Sequence, residues 1–101
     1  MRHFILFYEG VENYAEVRTP FRPAHLQAAR DAHARGELVQ AGAYANPNDG
    51  SVLVFRGESS EVAENFAKAD PFVLNGVVRR WYVREWTTVV GPDATVPTIG
   101  A

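Results

Sequence analysis

The sequence predicts an α+β domain in the order β-α-β-β-α-β, with a four-stranded antiparallel sheet and two helices on one of its faces. Three observations predict it. Residues 3–8 and 77–88, near the two ends of the chain, are dense in branched and aromatic side chains and read as strands. Residues 23–35 and the stretch after Ser60 read as helices, the second with apolar residues at helical spacing. The centre holds two short apolar runs separated by Asn46-Pro47-Asn48-Asp49-Gly50, a stretch made wholly of turn-forming residues.

Taken in order, the first strand covers residues 3–8 and stops at Glu9-Gly10. The first helix spans residues 23–35. Pro23 suits its first turn, where the missing N–H costs nothing, and Gly36 stops it. Residues 38–44 and 52–55 are the hairpin strands. Ser60 is expected to cap the second helix, which carries Val62, Ala63, Phe66 and Ala67 on one face to about residue 69. Asp70-Pro71 opens a short extra turn that ends at Asn75-Gly76, and residues 77–88 form the last strand. The 101 residues make one domain, expected at 1–90, followed by a tail at 91–101. The tail contains two prolines and two glycines, while its Val96 and Ile99 are suited to packing.

Two right-handed crossovers place both helices on one face, which is the ferredoxin-like plan. The other face is not polar. His3, Ile5 and Phe7 alternate with Phe4, Leu6 and Tyr8, and Trp81 and Val83 alternate with Tyr82 and Trp86. A sheet with one wet face alternates apolar and polar residues, so this pattern predicts a homodimer packed sheet to sheet.

The same topology gathers three distant segments at one end of the sheet: residues 18–25, 45–50 and 70–76. It brings Arg22, His25 and Asp70 into one neighbourhood. Loops collected at one end of a rigid scaffold are where small-molecule sites form.

Arg22-Pro23-Ala24-His25-Leu26, then Ala41-Gly42, then Ala69-Asp70-Pro71-Phe72 with Gly76 beyond, resembles the YciI-like (YCII-related) family across residues 1–88. The resemblance implies a dimeric α+β-barrel fold of ferredoxin-like halves. It also implies a catalytic His–Asp pair in a cleft, which falls on His25 and Asp70. A cofactor-free removal of chloride from a chlorinated hydroxyquinol is the activity known in that family, and most members have no assigned reaction.

Each residue also has an ordinary role. His25 in a first helical turn is commonly a half-exposed surface group. Paired with a carboxylate, it becomes a proton acceptor or donor with a fixed tautomer. Asp70 before Pro71 is a standard helix N-cap, worth about 1 kcal/mol, and a cap oxygen can also accept from an imidazole. Arg22 is either one half of a surface ion pair or a fork for a substrate carboxylate or phenolate. Phe72 is expected beneath the cleft, lining the substrate pocket second.

Other chemistries find little footing. A net charge of −2 offers no basic field for nucleic acid, and the aromatic residues of the last strand lack an RNA-binding signature. Cysteine is absent, which removes disulfides, thiol catalysis and Cys-zinc sites. His25 and His33 lie eight residues apart, about 12 Å by helical rise, too far to share a metal ion. His3 falls at the opposite end of the first strand from the cleft. No phosphate loop or nucleophile elbow occurs, so no cofactor and no metal are expected. No apolar run is long enough for a membrane span, and the N-terminus lacks the pattern of a secretory signal, so a cytoplasmic protein with no membrane partner is expected.

The sequence therefore points to a cofactor-independent enzyme of lyase or isomerase type, acting on a small polar metabolite that is aromatic or forms an enol. Dehydrochlorinase-like chemistry is the form that the resemblance implies. His25 is the expected acid–base, Asp70 its orienter and Arg22 the group that steadies negative charge. Two alternatives use the same residues: a non-catalytic ligand-binding or assembly domain, and a structural dimer module.

Overall fold

Alternation along the first strand decides which side chains meet the helices. In the computed structural model, which describes residues 1–96, β1 (Arg2–Gly10) lies between β3 (Gly50–Gly57) and β4 (Val78–Trp86). β2 (Leu38–Ala43) completes an antiparallel sheet of order β2-β3-β1-β4. Phe4, Leu6 and Tyr8 of β1 and Ser51, Leu53 and Phe55 of β3 are buried beneath the helices. The two principal helices are α2 (Arg22–Ala34) and α3 (Glu61–Ala69). The predicted ferredoxin-like order is therefore the observed one.

The differences from the expected elements are local. Between β1 and α2 the chain forms α1 (Tyr14–Val17) and a 3-10 turn (Thr19–Phe21), both too short to show periodicity in sequence. β3 extends beyond residues 52–55 because pairing with β1 reaches Gly50 opposite Glu9 and Gly57 opposite Arg2. β4 stops at Trp86 rather than at residue 88. Ser60 stands at the N-cap position of α3, its carbonyl accepting the Glu64 N–H, but its side chain does not cap the helix. Its backbone is already helical and its hydroxyl bonds Glu64, while Ser59 Oγ accepts the Glu61 N–H at 3.3 Å.

Phe66, Ala63 and Ala67 form the buried face of α3, with Phe66 5.2 Å from Phe55 between ring centroids. Truncating a buried aromatic of this kind costs about 3–5 kcal/mol. The short α4 (Pro71–Leu74) is closed by Gly76 at φ +71°, a left-handed conformation that a side chain resists. The reversal lets the Val77 N–H donate to the Phe72 carbonyl at 2.9 Å, fixing the turn that carries Phe72.

The second sheet face carries Ile5, Phe7, Val52, Val54 and Tyr82, all partly covered, and Trp86, which is 48% exposed. Phe7 and Tyr82 stack at 4.9 Å. Beyond β4 the Thr95 and Val96 N–H groups donate back to Thr88. The expectation for Ile99 lies outside the described residues. Among the described residues no helix is long and apolar enough to cross a membrane.

Candidate active site

The turn from α3 into α4 places a carboxylate under α2. Asp70 has an extended backbone (ψ 127°), as a residue before proline prefers, and its Oδ1 accepts the Phe72 N–H at 3.0 Å. The N-cap role expected for Asp70 is thus present. The same carboxylate faces His25 Nδ1 at 2.8 Å and 2.9 Å and accepts the Tyr8 hydroxyl at 2.7 Å. Asp70 is 1% exposed, so three donors replace the water that a buried carboxylate would otherwise need.

An ionised carboxylate only accepts hydrogen bonds, so Nδ1 carries the imidazole proton and the lone pair of the neutral ring resides on Nε2. Nε2 has no protein partner among the described residues. The ring lies flat on Phe72, with centroids 3.8 Å apart and planes 6° apart, and meets Phe66 edge-on at 6.5 Å. Orientation of His25 is thereby fixed by a hydrogen bond in its plane and by packing on its face. Tyr8, with no exposed surface, is pushed well above the usual tyrosine range by burial first and by the Asp70 charge next. It therefore remains a proton donor to Asp70.

His25 lines a cavity of about 190 Å³ between α2 and the sheet. Arg18, Arg22 and His25 come from the helical side, and Ala41, Ala43 and Ser51 from the sheet. The small residues of β2 leave the space open. Tyr14 forms part of the wall and packs on Gly10, where a Cβ would come within 2.3 Å of its ring. Neither Arg18 nor Arg22 pairs with a carboxylate among the described residues, and no acidic side chain lines the cavity.

Topology had placed Arg22, His25 and Asp70 in one neighbourhood without predicting contact. The structure brings His25 and Asp70 to hydrogen-bond distance, with Asp70 behind the imidazole rather than on the cavity surface. Arg22 and Phe72 both line the cavity, and Phe72 is also core at 1% exposure. Sequence reasoning missed Tyr8, Tyr14, Arg18 and Ser51. Tyr8 left a signal: it shares a face with Phe4 and Leu6, and a buried phenol requires a partner. His3 sits apart at the start of β1, with Nδ1 2.8 Å from Thr88 Oγ1.

A two-helix ferredoxin-like domain with a buried His–Asp pair at a small cavity defines the class of protein. Residues 1–87 match the model of the YCII-related domain, and the chain belongs to that family. It is 30% identical over 95 residues to Protein YciI of Escherichia coli and, equally, of Shigella flexneri, covering 85% of this chain and 97% of each relative. Among solved structures it is similar to 5-chloro-2-hydroxyhydroquinone dehydrochlorinase (TftG) from Burkholderia phenoliruptrix, in complex with 2,5-dihydroxybenzoquinone. The TM-score there is 0.73 at 20% identity, covering 85% of this chain and 94% of that one. Protein Atu4242 from Agrobacterium tumefaciens matches with a TM-score of 0.59 at 13% identity, covering 96% and 100% of the two chains. At these identities the structural matches establish the fold.

Proposed function

We propose that this chain is a cofactor-independent acid–base enzyme acting on a small polar metabolite that is aromatic or forms an enol. The observation that carries the reading is the buried Asp70 carboxylate bonded to His25 Nδ1, with His25 itself lining a cavity of ligand size. In this reading Nε2 removes a proton from a carbon or hydroxyl of the substrate. Asp70 stabilises the imidazolium that results, and Arg22 steadies the negative charge left on substrate oxygen. Return of the proton at another atom gives an isomerisation, and loss of a leaving group such as chloride gives an elimination. The fold shared with a dehydrochlorinase supports the second outcome as one form of the chemistry.

Residues 1–90 carry this function in the proposal, with 91–101 as an appended tail. The working unit is a homodimer joined through the second sheet face, where Phe7, Val54, Tyr82 and Trp86 leave apolar surface for a second copy. The cytoplasm is its proposed compartment, since the chain has no cysteine with which an oxidising environment could staple the fold.

Solvent exchange tests the reading whatever the product turns out to be. The protein is incubated in D2O with a panel of hydroxylated rings and enolisable cyclic acids, some chlorinated, while proton NMR follows exchange and an electrode follows chloride. Exchange or chloride release by the parent, reduced about 10²–10⁴-fold in His25→Gln, is expected. Saturable binding with neither process would assign the cavity to binding alone.

A further inference from the structure

The register of β1 puts a phenol in the core, behind the imidazole and away from the cavity. Tyr8 shares its face of the strand with Phe4 and Leu6, has no exposed surface and is not among the residues that line the cavity. Phenylalanine would fill that position with no hydroxyl to satisfy. The hydroxyl that is there donates to Asp70 Oδ2 at 2.7 Å, and burial together with the Asp70 charge keeps it protonated.

Asp70 divides its lone pairs between the imidazole and two other donors. His25 Nδ1 lies 2.8 Å from Oδ1 and 2.9 Å from Oδ2, while the Phe72 N–H takes Oδ1 and the Tyr8 hydroxyl takes Oδ2. A hydrogen bond to a carboxylate spreads its charge and weakens its pull on a neighbouring proton. At 1% exposure Asp70 has little access to solvent that could replace a lost donor. The Phe72 amide is fixed by the α4 turn, so the phenol is the donor that a side chain supplies. The remaining titratable groups at the cavity are Arg18, Arg22 and Tyr14, and among the described residues the sheet brings none. Helices α3 and α4 meet the ring through Phe66 and Phe72, which do not titrate.

We infer that Tyr8 is a positioning residue that acts on His25 through Asp70: its hydroxyl anchors the carboxylate against Nδ1 and tempers its charge, so that a proton taken up at Nε2 is also released. This rests on the acid–base reading of the site and adds to it the residue that sets the strength of the base. Both halves of an isomerisation need that balance, since an imidazolium held by an untempered carboxylate is slow to return its proton. Without the phenol Asp70 is the stronger partner of the imidazolium, and His25 becomes charged at a higher pH.

Two replacements move the donor in opposite directions. Tyr8→Phe removes it, and 3-fluorotyrosine installed at position 8 strengthens it, because fluorine makes the phenol more acidic. Proton NMR of the histidine rings is followed against pH on the full chain in each form. The His25 midpoint is expected to rise by about 0.5–1 in Tyr8→Phe and to fall by a smaller amount with fluorotyrosine, with His3 and His33 unmoved. Any low-pH limb of the proton-exchange rate should move with it. A His25 midpoint that stays within about 0.1 of the parent in the folded variants overturns the inference and leaves Tyr8 a core residue. A rise in both variants also overturns it, since loosened packing rather than donor strength would then be responsible. If Tyr8→Phe does not fold, the fluorotyrosine chain decides alone. Proton exchange by a parent whose His25 midpoint ignores Tyr8 overturns the inference and leaves the enzyme. Midpoints that move in opposite directions, in a chain that exchanges no proton, support the coupling through Asp70 and overturn the enzyme.

Discussion

Tyr8 and His25 share one oxygen of Asp70: the phenol donates to Oδ2 at 2.7 Å and the imidazole Nδ1 lies 2.9 Å from the same atom. The phenol comes from the first strand, the imidazole from α2 and the carboxylate from the α3–α4 turn, so the sheet and both principal helices meet at a single group. A side chain that only capped α4 would need none of the first two contacts.

Substitutions at Asp70 separate the cap from the pair. Asp70→Asn keeps a carbonyl for the Phe72 N–H but loses the charge, and should cost about 1–2 kcal/mol. Asp70→Ala leaves three buried donors unpaired, and should cost about 3–5 kcal/mol. Urea unfolding measures both. Equal losses near 1 kcal/mol would reduce Asp70 to a cap.

The phenol at Tyr8 carries a pH signature. Its pKa in the folded chain is raised above the value of about 10 that it has when unfolded, so the native state holds the proton more tightly. The stability this contributes is complete below about pH 10 and declines as pH rises beyond it. Tyr8→Phe should lose about 1.5–3 kcal/mol at neutral pH by removing a hydrogen bond to a charged group, and its stability should fall less steeply above about pH 10. Denaturant midpoints collected across that range check it. Parallel curves for the two proteins would contradict the assignment.

Arg22 lines the cavity without a carboxylate partner, so its replacement should affect ligands more than folding. Arg22→Gln is expected to weaken binding of 2,5-dihydroxybenzoquinone about tenfold, with a loss that shrinks as salt is added. Stability should stay within about 0.5 kcal/mol of the parent. Titrations at low and high ionic strength give the answer, and an affinity unchanged by the substitution would return Arg22 to the surface.

Much of this architecture is legible in the sequence because it rests on local chemistry. Gly36 and Gly76 stop helices at left-handed positions, with φ of +80° and +71°, and the hairpin announces itself in residues 46–50. Right-handed crossovers then carry Asp70 to the end of the sheet where His25 lies. What stayed hidden depends on register and depth. Nothing in the residues around Ser51 says that its hydroxyl is unpaired among the described residues, because that follows from the side chains of three other elements. Arg18 was obscured for a different reason: α1 is only four residues long, and its turn decides where the guanidinium goes. Ser59 displaced Ser60 as the capping hydroxyl by one residue, a choice set by backbone angles that neighbouring serines do not reveal.

The second sheet face gives a prediction about assembly. Val54 lies on β3 beside Ile5 of β1 and Gln40 of β2, near the middle of that face. Analytical ultracentrifugation should find a dimer for the parent and a monomer for Val54→Glu, since a carboxylate near the middle of that face would lose its hydration when a second sheet packs on it. A parent that sediments as a monomer would remove the proposed interface.

The central claim is that Asp70 holds the proton of His25 on Nδ1 and leaves Nε2 free to act on a ligand. Ring 15N chemical shifts of His25, recorded with the imidazole neutral in the parent and in Asp70→Asn, test it most directly. The account predicts a protonated Nδ1 and an unprotonated Nε2 in the parent, with that preference weakened or lost in the variant. A proton on Nε2 in the parent, with the same tautomer in both proteins, would contradict it.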